Sequence, residues 1–206
     1  MVPGHEAEVA GFLRHSRPGE SPPAGLLMQC LGRRLSLHRQ QHIVITCWRD
    51  EAAFAHGTDP LGIPVSLSPK AHCLSDRLSS PFGISAALGD GAEGARILRV
   101  YRAEVAAASV KEWARRAGEP LASLSGREGF VCVRAGVDMA GADSRGEVSV
   151  VALSGWRDWD AVLAATGGHI DRLVQATDLT DLERPIGLDH YELLKPDTRT
   201  HADRPA

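Results

Sequence analysis

The chain has no apolar run approaching the roughly 20 residues that a membrane-spanning helix requires, and its N-terminus reaches Pro3, Gly4, His5 and Glu6 before any apolar stretch can form. Neither a spanning helix nor a cleavable leader is expected. An excess of one charge is also lacking. Lys+Arg number 23 against 26 Asp+Glu, for a formal net charge of −3 and a pI near 6.3, so no chain-wide field favours nucleic acid or an anionic membrane as partner. Cysteine is sparse: Cys30, Cys47, Cys73 and Cys132 are scattered without a Cys-x-x-Cys pair, three of them within apolar stretches. That usage suits neither a disulfide framework nor zinc, and it predicts buried reduced thiols in a soluble, cytoplasmic protein. No phosphate-cradling glycine loop, Ser/His/Asp motif or metal-ligand spacing stands out, so no metal and no bound cofactor are expected. Asparagine is absent altogether.

What is present is a repeat. Gly25-Leu-Leu-Met-Gln-Cys-Leu-Gly32 returns as Gly129-Phe-Val-Cys-Val-Arg-Ala-Gly136, shifted by 104 positions. Cys47-Trp48-Arg49-Asp50 returns as Gly155-Trp156-Arg157-Asp158, shifted by 108, and the four extra residues fit the long turn at 138–146. A weaker third match pairs Leu78-x-x-Pro81-Phe82-Gly83 with Leu182-x-x-Pro185-Ile186-Gly187. Three ordered matches predict a duplicated unit.

The second copy reads as a full set of elements. Residues 97–105 alternate as a strand, and Ser109 with Glu112 three residues on has the form of a capping box opening a helix through Val110, Trp113, Ala114, Ala117 and Leu121. Strands follow at 130–137 and 148–153, then a short helix at 158–165 stopped by Gly167-Gly168, a helical-looking piece at 170–175, and a last strand at 188–194. The order βαββαβ is that of a ferredoxin-like unit, whose antiparallel sheet carries both helices on one face. Its other face is too apolar to be left in water, since Val148 and Val150 point one way and Val151 and Leu153 the other.

These patterns predict an α+β fold: two tandem ferredoxin-like units packed sheet to sheet as one intramolecular α/β barrel, the first unit incomplete. The expected division is 1–88 for the degenerate unit, 89–95 for a glycine-rich linker, 96–195 for the complete unit and 196–206 for a polar disordered tail. The chain would then be a monomer with an internal pseudo-dimer, or a homodimer. The first copy lacks a counterpart of the opening strand, and residues 63–67, which alternate with period two, are the candidate replacement. Pro64 confines them to an edge.

The glycine-bracketed strand at 129–136, followed by a strand running into Trp156-Arg157-Asp158 and an Ala-rich helix, resembles the dimeric α/β-barrel superfamily, and within it the antibiotic biosynthesis monooxygenase domains. The resemblance covers residues 97–194 well and 5–88 in part. That superfamily includes cofactor-independent quinone-forming monooxygenases, haem-degrading enzymes, dehydratases, stress-response proteins and domains of unknown activity, so the fold by itself specifies little chemistry. In monooxygenases of this type a tryptophan at the end of the third strand borders the substrate cavity, and Trp156 and Trp48 occupy that place in the two copies. The asparagine that accompanies it in the monooxygenases and haem degraders has no counterpart here. A haem reading would also need an axial histidine, and His56 and His169 stand eight and thirteen residues past their tryptophans, spacings that disagree.

Polar residues on the apolar strands complete the candidate site. Arg99 and Tyr101 share one face of their strand, and His190 and Glu192 share one face of the last, its expected antiparallel neighbour. Converging, they would offer substrate contacts from Arg99 and Glu192, a general base in His190 and an orienting phenol in Tyr101. The plainer alternative is solvent exposure or an Arg99–Glu192 pair. Arg102, Glu104, Asp189 and Tyr191 on the opposite faces are equally polar, so alternation leaves the choice of face open. The acidic stretch 178–183 reads as a solvated loop. The expected function is small-molecule binding, with cofactor-independent mono-oxygenation of a polar aromatic or polyketide-like compound as the catalytic form, and a non-catalytic ligand-binding or structural module as the alternative.

Overall fold

The computed structural model describes residues 23–35, 42–58, 81–89, 91–119, 124–172, 179 and 181–194. The helix expected around Glu6, the strand at 63–67, most of the helical piece at 170–175 and the tail at 196–206 lie outside these. Among the described residues there are seven strands: β1 (Leu26–Arg34), β2 (His42–Trp48), β3 (Phe82–Leu88), β4 (Ile97–Ala106), β5 (Phe130–Asp138), β6 (Glu147–Trp156) and β7 (Glu183–Leu193). Helices α1 (Glu51–Gly57), α2 (Val110–Gly118) and α3 (Trp159–Thr166) accompany them. The strands run in the order β2-β1-β7-β4-β6-β5-β3. No described helix is long and apolar enough to cross a membrane.

The chain divides into two compact units, one of residues 1–31, 44–77 and 194–206, the other of 32–43 and 78–193. The second unit contains the βαββαβ run read from the sequence, with β4 between β7 and β6, and β5 on the far side of β6. All of these pairings are antiparallel, and the spatial order of the four strands, fourth-first-third-second, is that of a ferredoxin-like sheet. β3 was expected to belong with the first copy. Its hydrogen bonds instead run to β5, from Phe82 opposite Asp138 to Leu88 opposite Val133, which places it in this unit.

Both helices cover the same face of β4. Trp113, Val110, Ala114 and Ala117 of α2 pack on Tyr101, Ala103, Val105, Ala135 and Val150, and Ala161, Val162 and Ala165 of α3 pack on Ile97, Trp156 and Phe130. The alternate residues of β4 thus meet helices. The capping box does not form: a 3-10 turn, Ala107–Ser109, precedes α2, and Ser109 makes no side-chain cap. Glu112 bonds Arg115 instead. The helix runs to Gly118, short of Leu121.

Within the first unit, the stretch from Gly25 to α1 has a local geometry that recurs in the second from Gly129 to α3. Gly25 has φ +83° and Gly129 φ +73°. A Cβ on Gly25 would stand 2.4 Å from Ala53 Cβ, and one on Gly129 2.4 Å from Ala161 Cβ, so glycine is required twice over, by backbone angle and by contact. Arg49 N–H donates to Gly25 O and Arg157 N–H to Gly129 O, each at 2.8 Å. Asp50 accepts from Ala53 N–H at 2.8 Å and Asp158 from Ala161 N–H at 2.9 Å, N-capping the two helices alike.

Candidate functional site

The antiparallel register sets side chains of neighbouring strands in rows. On the helix-bearing face, Val133, Ser154, Arg99 and His190 form one row across β5, β6, β4 and β7. It lies between the part of the sheet packed by α2 and the part packed by α3. Ser154 stands on an inner strand of this face and yet keeps partial exposure, as does His190.

Arg99 is the centre of the row and is only 3 % exposed. Its Nε–H donates to His190 Nε2 at 3.2 Å, and one Nη2 donates to the carbonyls of Ile170 and Arg172 at 2.9 and 2.6 Å. Burial lowers the guanidinium pKa to about 10, which still leaves it charged at neutral pH. Because Nε2 of His190 accepts, the neutral imidazole carries its proton on Nδ1, where the Ile170 backbone provides a further hydrogen bond. Burial, then the charge of Arg99, holds the His190 pKa below the ordinary imidazole value. The Trp159 ring lies beside it, centroids 5.5 Å apart.

The other sequence candidates fall around this centre. Tyr101 lies one row away, and its hydroxyl donates to Glu183 Oε1 at 2.7 Å, while Trp113 Nε1 donates to Glu183 Oε2 at 2.8 Å. Burial, reinforced by the Glu183 carboxylate, raises the Tyr101 pKa far beyond neutrality. Trp156 is 0 % exposed, donates to Ser154 Oγ at 3.0 Å and meets Phe130 edge-on. Its indole is a packing element against α3, with the N–H already engaged. Trp48 is partly exposed in the first unit and repeats the N–H bond, to Thr46 Oγ1 at 3.0 Å. Glu192 pairs with Arg33 at 2.6 Å, not with Arg99. Of the residues expected to converge, the structure joins Arg99 and His190 directly.

Sequence reasoning passed over three participants. Glu183 was assigned to a solvated loop, yet it is the acceptor for two aromatic donors. Trp113 and Tyr101 were the signal, because buried indole and phenol groups need a partner. Trp159 and Ser154 were not among the sequence candidates. On the opposite face of the sheet, Asp189 lies between the guanidinium groups of Arg34 and Arg102, with Arg102 at 2.8 Å. Tyr191 is buried on the same face, its pKa raised by burial and by Asp189. Among the described residues no group of three or more His, Cys, Asp or Glu side chains could hold a metal ion.

Comparison with solved structures recognises this arrangement of strands and helices. An anthrone oxidase-like protein superposes with a TM-score of 0.57 at 13 % identity, over 91 % of this chain and 83 % of its own. A candidate monooxygenase from Fusobacterium nucleatum gives 0.59 at 16 %, over 92 % and 85 %. One from Lactobacillus acidophilus gives 0.58 at 12 %, over 91 % and 84 %. The chain shares the fold of these proteins, with a ferredoxin-like order of strands in its second unit. At these identities the likeness establishes the fold and leaves the substrate open. No protein-family profile matches the sequence, and no curated protein does so.

Proposed function

We propose that the second unit binds an aromatic small molecule over the Ser154–Arg99–His190 row and oxygenates it without a bound cofactor. The observation that carries this reading is the row itself: a buried cation and a neutral imidazole side by side, with Ser154 and His190 partly exposed. Apolar surroundings with a few oriented polar groups suit an aromatic ligand. The fold shared with an anthrone oxidase-like protein supports the choice of chemistry.

The roles follow from the geometry. His190 is neutral at pH 7, the state a general base requires, and the 3.2 Å bond from Arg99 is the one a substrate proton would replace. Arg99, held from three sides, would stabilise the oxyanion left when a C–H proton departs. For a ring methylene flanked by carbonyl-bearing aromatic rings, the balance is methylene plus O2 giving ketone plus water. Tyr101 acts through Glu183 to hold the sheet against α2, and Trp156 closes the α3 side. Trp48 would play the corresponding part in the first unit, and Glu192 with Arg33 would border the open end. The matched geometry at Gly25 and Gly129 supports the further reading that the two copies arose by tandem duplication.

A second reading, binding without turnover, is favoured by one feature: both nitrogens of His190 and the hydroxyl of Tyr101 already have partners. Oxygen uptake with a hydroxylated anthrone, without added flavin or metal, distinguishes the two. Turnover of about one O2 per ketone formed is expected for the oxygenase. Binding with no uptake selects the second reading, and absence of both removes the site.

A further inference from the structure

Among the described residues no carboxylate is paired with the buried guanidinium of Arg99. Nε and one Nη2 are taken by an imidazole and two peptide carbonyls, all formally neutral. Among the described residues Nη1 has no hydrogen-bond partner, and no carboxylate pairs with Arg99. Several more exposed arginines are paired with carboxylates. Arg34 and Arg102 share Asp189, and Arg184 and Arg145 share Glu104 and Glu147. A buried charge without a counter-charge is unfavourable, and Arg99 carries this cost next to the partly exposed Ser154. Its depressed pKa has burial as the cause.

We infer that the ligand enters this site as an anion, a carboxylate or ionised phenol on an aromatic ring, and that its oxygen takes Arg99 Nη1 and supplies a counter-charge that no described residue provides. This rests on the reading of the row as the ligand site and names the charge class of that ligand. Two adjacent features fit an anion held edge-on. Ser154 stands opposite Arg99 on β6, already accepting from Trp156, so its hydroxyl hydrogen is free to donate to a second oxygen. Trp159 beside His190 presents a ring face to the aromatic part. His190 is then a positioning residue for Arg99 as well as the proposed base, since its Nε2 fixes the plane in which Nη1 points.

The test uses the full chain and two probes of nearly equal shape, 2-naphthoate and 2-naphthamide, titrated calorimetrically at pH 7. A charge-assisted hydrogen bond predicts naphthoate binding at least about tenfold tighter, and Arg99→Met should bring the two probes within about twofold of each other. Equal affinity of the wild-type protein for both overturns the anion inference and leaves the aromatic site standing. Failure of both probes to bind overturns the site and the inference together. A naphthoate preference that survives in R99M also overturns it, because the anion is then held elsewhere. Should R99M not fold, Arg102→Met decides: the preference must persist in R102M, and its loss there would assign the anion to the opposite face of the sheet.

Discussion

Trp156→Phe and Trp48→Phe are one substitution made at two corresponding positions, and the structure predicts different costs for them. Trp156 is wholly buried, its N–H bonded to Ser154 and its ring edge-on to Phe130, with Val162 of α3 also fully buried beside it. Phenylalanine there leaves a void of about half an indole and strips Ser154 of its donor. Large-to-small changes in a core cost roughly 2–5 kcal/mol for full truncation, and a lost neutral hydrogen bond about 1 kcal/mol, so a total of about 2 kcal/mol is expected. For a chain of this length that is a fall in melting temperature of about 4–8 °C. Trp48 keeps part of its surface in water, so the same change should cost less than about 1 kcal/mol. Thermal melts followed by circular dichroism, with urea midpoints as a check, measure both. Equal losses at the two positions would refute the assignment of Trp156 to packing. So would an intact melting temperature accompanied by a large drop in aromatic-probe affinity, which would return its indole to the ligand.

Gly129→Ala forces a side chain onto a φ of +73° and against Ala161, so it should destabilise by more than about 2 kcal/mol; a neutral result in a melt would mean the strand-to-helix junction is looser than its geometry. Glu183→Gln replaces one acceptor by a donor facing Tyr101 or Trp113, and a cost of roughly 1.5–3 kcal/mol is expected from the lost charge-assisted bond. Indole emission from the 1 % exposed Trp113 should shift to the red, and unchanged stability would remove Glu183 from the core network. His190 has a folded pKa below its unfolded value near 6.5, so the unfolded chain takes up a proton that the folded one refuses. Its contribution to stability is present above about pH 6.5 and is lost as pH falls through the folded pKa. Urea midpoints from pH 7.5 to 5 should decline less steeply in His190→Gln than in the wild type, and parallel curves would count against the buried neutral imidazole.

The local code of this chain is largely readable from its residues. Glycine pairs around an apolar run, a tryptophan at a strand end and an aspartate three residues before an alanine fix their own surroundings through backbone angle, side-chain alternation and helix capping, all short-range. From those alone come β5, β6, α3, the turn at 138–146 and the βαββαβ order of the second unit, and with them the ferredoxin-like fold. The capping box at Ser109 was misread because Glu112 has a stronger partner one turn away in Arg115, and β3 was misassigned because strand pairing joins residues about fifty positions apart.

The site depended on a choice that alternation could not make. Arg99, Tyr101 and His190 alternate with Arg102, Asp189 and Tyr191, and both sets are polar, so nothing local distinguishes the face beneath the helices from the face opposite. What decided it was long-range register, setting Arg99 between Ser154 and His190, together with the placement of α2 and α3 over one side of the sheet. Sequence by itself determined which elements form and in what order, since those are governed by neighbours a few residues away. Only the tertiary structure decided that a buried arginine would meet a histidine and two backbone carbonyls, because the partners of a side chain depend on every strand and loop that packs around it.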